Sequence, residues 1–123
     1  MHIQLRSVGC FAAISLAAML SSQSSQAQGN PAMQWGAMEL QTSLNNCIGR
    51  AKKAFSDAGL HDTQHTGWQS YGVKGSANVL VSCSIGSNNG SSYLVVVAAS
   101  SDSKAAELLR NDIRSRIASM REL

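Results

Sequence analysis

The chain has 123 residues, 44 % hydrophobic and 14 % charged, with a formal net charge of +3. That length suits one domain and hardly two, and the charge excess is too small to argue for nucleic acid or an anionic membrane as partner. The basic side chains fall mainly on two predicted helices, as Arg50, Lys52, Lys53 and then Arg110, Arg114, Arg116, Arg121, the pattern of a solvated helix face.

Residues 1–27 read as a signal peptide that is cleaved. Arg6 supplies a short positive start, Val8 to Leu20 is an uncharged run, and Ser25-Gln26-Ala27 offers small residues for a peptidase. Cleavage after Ala27 would leave residues 28–123 as one domain with no membrane anchor, in the periplasm or secreted. The apolar run is shorter than the ~20 residues a membrane span needs. Cys10 lies near the start of that run, which is the wrong end for lipid attachment, and it leaves with the leader.

Two cysteines then remain, Cys47 and Cys83. An even count in a small exported domain points to a disulfide. There is no Cys-x-x-Cys pair to suggest a metal site.

In chain order, the first expected element is a helix over residues 31–58. Asn30 and Pro31 suit its start. Met33, Ala37, Leu40, Leu44, Cys47, Ile48, Ala51, Phe55 and Ala58 form one stripe, and Gly59 stops it. Residues 60–66 read as a loop. Strands are expected over 67–73, 76–86 and 91–100, joined by a two-residue Lys74-Gly75 turn and a hairpin around Asn88-Asn89-Gly90. The first turn sets Trp68 opposite Val81 on the core face, with Tyr71 beside Leu80 on the other face. A final helix over 103–121 is capped by Asp102 or Ser103, with Ala105, Leu109, Ile113, Ile117 and Met120 as its stripe. The fold class that follows is α+β, an α-β-β-β-α two-layer sandwich. Both helices cover one face of a three-stranded antiparallel meander, and Cys47 meets Cys83 between the layers.

Few residues suggest chemistry. His61-Asp62-Thr63-Gln64-His65 could hold zinc or copper through His61, Asp62 and His65. The pair of histidines follows the helix stop, however, so the spacing does not put both rings on one helical face. No nucleophile elbow, phosphate loop or carboxylate pair is present in the motifs.

The outer sheet face is the more informative feature. Residues Tyr93 to Ala99 are apolar at both parities. A three-residue hairpin loop would turn Leu94, Val96 and Ala98 outward. A two-residue loop would instead turn Tyr93, Val95, Val97 and Ala99 outward. The first register gives an interaction patch of Tyr71, Leu80, Leu94 and Val96. The expected function is a non-enzymatic binding module that needs no cofactor and uses this face for a protein partner or a homodimer. The alternatives are a metal-binding module or metalloenzyme built on the 61–65 loop, and a secreted hydrolase inhibitor acting through the Gly86–Ser92 tip.

Overall fold

The computed structural model describes residues 31–121; the expected leader, its cleavage point and Cys10 lie outside the described residues. The element order is β1 (Ala32–Leu40), α1 (Leu44–Asp57), β2 (His61–Thr66), β3 (Gln69–Lys74), β4 (Ala77–Ile85), β5 (Ser92–Ser100) and α2 (Ser103–Ser119). The class is α+β, as the sequence implies. The sheet has five strands in the order β1-β5-β4-β3-β2, and every neighbouring pair is antiparallel. The first strand therefore closes against the last, outside the meander β2-β3-β4-β5.

Two expected elements are corrected. The opening helix is a strand followed by a shorter helix. Ser43 is the true N-cap, its hydroxyl accepting the Asn46 N–H at 3.2 Å, and Thr42 Oγ1 accepts from Asn46 Nδ2 at 3.0 Å. These hydroxyl residues start a helix and do not continue one. The loop 60–66 is the edge strand β2. It contains no apolar residue and is exposed throughout, so only its pairing with β3 makes it a strand. Gly59, at φ 72°, ends α1 in the left-handed conformation, as expected, and the Leu60 N–H returns to the Phe55 carbonyl at 3.1 Å.

The strand positions and the second helix agree with the sequence to within two residues, but both hairpin registers differ. In the β3–β4 turn, Lys74 pairs with Ala77, which leaves Gly75-Ser76 as the tip. Gly75 supplies the positive φ of 59° that this tight turn requires. Ser70 consequently lies opposite Val81, and Trp68 is pushed into the β2–β3 turn. There its carbonyl accepts the Cys83 N–H at 2.9 Å, while its ring is 64 % exposed and outside the core. The β4–β5 connection is longer than either hairpin reading, since Ile85 pairs with Ser92 across residues 86–91.

The core lies between the helices and one face of the sheet. Val79, Val81 and Cys83 of β4 and Leu94, Val96 and Ala98 of β5 meet Cys47, Ala51, Ala54 and Phe55 of α1 and Ala106, Leu109, Ile113 and Ile117 of α2. The Cys47–Cys83 disulfide crosses this interface, joining α1 to β4. Beside it, Arg50 is buried. Its guanidinium donates to the carbonyls of Ile117 and Arg121 at 3.3 and 3.5 Å, satisfying backbone acceptors at the end of α2.

Candidate interaction face

The strand pattern fixes which side chains face away from the helices. In β4, Ala77, Val79, Val81 and Cys83 are buried, and Asn78, Leu80 and Ser84 are exposed. In β5, Ser92, Leu94, Val96, Ala98 and Ser100 are buried, which leaves Tyr93, Val95, Val97 and Ala99 on the outer side. The three-residue hairpin on which the expected patch rests is thus corrected, and the outward set is the one that the two-residue reading gives. Leu94 and Val96 are core residues, each 0 % exposed, and do not belong to an outer patch. Their inward turn follows from the register, which sets Cys83 against Leu94 and Val81 against Val96. A one-residue change of parity exchanges the two faces of a strand.

Tyr71 and Leu80 do lie outward, as direct cross-strand partners. The row continues through Val97 to Trp35, so that Trp35, Val97, Leu80 and Tyr71 cross four strands side by side. At about 4.8 Å between strands, that row is about 14 Å long. Met33 and Ala99 border it on one side, and Ala37 and Val95 on the other. Met33 and Trp35 are each 68 % exposed. A helix over residues 31–58 does not bring Trp35 and Met33 to this surface; the strand Ala32–Leu40 does. The signal that could have found them is the Thr42-Ser43 pair, which separates β1 from α1.

Lysines and arginines are kept off the outer sheet face, while the helical side carries them together with Asp57, Glu107 and Asp112. Among the outward positions of β1, β5, β4 and β3, the only charged side chain is Glu39. Its Oε1 is already engaged by Ser87 and Ser91. The described lysines and arginines sit on α1, on or just after α2, and at Lys74, which lines a cleft with Ala105, Leu109 and Asp112 of α2.

The 61–65 segment places His61 and His65 on opposite faces of the sheet. His61 and Asp62 form an exposed pair at 3.1 Å, beside a bulge that shifts the register between His61 and Gln64. His65 instead lies against the helix side. Its Nδ1 is 2.7 Å from Ser70 Oγ, and its ring centroid is 5.8 Å from that of Phe55. Burial, with the Lys52 charge added, holds the His65 imidazole below its usual range. No group of three His, Cys, Asp or Glu side chains suited to a metal occurs among the described residues. The Gly86–Ser92 tip is held by Glu39 and by Ser91, whose hydroxyl donates to the Asn88 carbonyl at 2.8 Å. Compared with known proteins, the sequence matches no family model and no curated protein.

Proposed function

We propose that this chain is a non-enzymatic interaction module that works outside the cytoplasm after residues 1–27 are removed. Its outer sheet face is the working surface, and a second copy of the chain is the occupant. The observation that carries this reading is the uncharged row Trp35, Val97, Leu80 and Tyr71 on a face opposite all the described lysines and arginines. Two positively charged copies that approach by their helices set arginine against arginine. Sheet to sheet, no lysine or arginine meets another, the outward Glu39 being at the end of β1 and bonded to Ser87 and Ser91, and a two-fold arrangement presents the same patch on both sides.

The area is adequate. Five strands at about 4.8 Å spacing and roughly eight residues at about 3.4 Å make a face of roughly 600 Å² in projection. Side-chain relief raises its accessible area toward the ~800 Å² per partner of a stable interface. Sheets pack face to face at about 10 Å in this way.

The test is sedimentation velocity over a wide concentration range, on protein exported and processed from the full-length chain. A dimer is expected, with the mature sequence starting at Gln28. Leu80→Lys, an outward substitution, should weaken the dimer at least tenfold while leaving the circular dichroism spectrum unchanged. A monomer at all concentrations would remove the self-association reading.

A further inference from the structure

The two edges of the sheet are built differently. The β2 edge is six residues long, fully exposed and polar, and it is interrupted by a bulge at which Asp62 takes φ 51°. Such features block the addition of another strand. The β1 edge has none of them. Ala32–Leu40 pairs with β5 over nine consecutive residues without a register shift, and it contains neither proline nor lysine. Among the described residues, no strand lies on its other side.

The flanks of β1 are chemically distinct. On the helix side, two arginines of α2 lie against Gly36. A Cβ there would sit 3.5 Å from Arg114 Nη1 and 3.7 Å from Arg110 Cδ. Arg110 Nη1 donates to the Trp35 carbonyl at 3.1 Å and to Gln34 Oε1 at 3.3 Å. Arg114 lines a cleft of about 280 Å³ with Met38, Asn111, Ser115 and Ala118. Neither guanidinium meets a carboxylate among the described residues, whereas Arg116 is paired with Asp112 at 2.9 Å. On the sheet side, the flank is formed by Met33 and Trp35, both largely exposed.

We infer that the β1 edge is a strand-addition site for an extended peptide in which acidic side chains alternate with apolar ones. Successive side chains of an added strand point to opposite faces. One set meets Arg114, whose guanidinium carries no hydrogen bond among the described residues, and Arg110, which also holds Asn111 Oδ1 at 2.9 Å. Arg110 Nη1 must exchange the Trp35 carbonyl for a peptide carboxylate, so that the carbonyl can accept from the added strand. The other set meets Met33 and Trp35. Main-chain hydrogen bonds to the edge supply affinity, and the two flanks supply selectivity. A second copy of β1 is a poor occupant, because it would set its own Arg110 and Arg114 against these. The site takes Met33 and Trp35 from the border of the outer face but needs no second copy, so it goes beyond the sheet-to-sheet reading and stands without it.

The experiment uses the processed protein and a fluorescein-labelled, capped nine-residue peptide of alternating Glu and Val. Fluorescence anisotropy should show binding that weakens as salt is raised. Two control peptides are expected to bind at least tenfold more weakly: one with Lys in place of Glu, and one N-methylated at alternate residues. Arg114→Glu should also weaken binding at least tenfold, and Arg114→Gln, which keeps a neutral side chain of similar length and serves as the second variant, by a smaller factor. Hydrogen exchange should slow at amides within residues 32–40 on binding and remain unchanged in β2. Equal binding of the Lys peptide or the N-methylated peptide would overturn the inference. So would peptide-induced protection confined to β2, or dimerisation of the free protein through β1.

Discussion

Glu39 Oε1 accepts both the backbone N–H and the hydroxyl of Ser87, at 2.7 and 2.6 Å. The Ser91 hydroxyl is 3.0 Å from the same oxygen. A single carboxylate at the end of β1 thus organises the connection between β4 and β5, 48 residues away in sequence. The Ser87 hydroxyl, followed by the Ser87 N–H and the Ser91 hydroxyl, holds this carboxyl below its ordinary value of 4.5.

This bond set has a direct pH consequence. Because the folded value is lower than the unfolded one, the stabilisation is complete above about 4.5 and is lost as pH falls through the folded value. Thermal melts between about pH 3 and pH 7 should show this acid-side loss in the wild type and a shallower one in Glu39→Gln. The same variant should show faster amide exchange at Ser87. If the two melting curves shift in parallel at every pH, the carboxylate is not the clamp.

The disulfide ties residues 36 positions apart and is buried at both ends. Closing a loop of that length removes unfolded-state entropy worth about 4 kcal/mol on the chain-entropy model. That is a large share of the 5–15 kcal/mol typical of a domain. Cys47→Ala combined with Cys83→Ala should therefore lower the unfolding free energy measured by urea titration by a comparable amount. A loss under about 1 kcal/mol would place the stability of the α1–β4 contact elsewhere.

Gly72 on β3 makes a different kind of contact. A Cβ at this position would lie 2.8 Å from Leu60 Cδ2 and 3.2 Å from Phe55 Cδ2. The absent side chain lets α1 and the start of β2 close on the sheet. Gly72→Ala should cost about 1–3 kcal/mol through overpacking. Combining it with Leu60→Ala should recover part of that loss in a double-mutant cycle. Strict additivity of the two substitutions would rule out the steric cause.

The apolar stripes of the two helices and the buried face of β4 were legible in the sequence, whereas the buried face of β5 was not. Cys47, Ala51 and Phe55 share a stripe, Ala77 to Cys83 alternate cleanly, and Asp102 caps the last helix, its carboxylate accepting the Lys104 N–H at 3.0 Å. The remainder was decided by tertiary pairing. Met33, Ala37, Leu40 and Leu44 fit a helical spacing, yet Ala32–Leu40 forms a strand because β5 is there to receive it. β2 carries no apolar signal at all. The outer face was half legible. Tyr71 and Leu80 follow from a short turn, but the parity of β5 depends on a six-residue connection held by Glu39, and no local pattern reports that bond.

The separation of cations from the neutral sheet gives the molecule a permanent electrical asymmetry that its small net charge conceals. Near any acidic layer, the helical side is drawn inward over the last Debye length, about 8 Å at physiological ionic strength. The aromatic-bearing side is then what remains turned toward the fluid. Orientation of this kind needs no dedicated docking contact, and added salt randomises it.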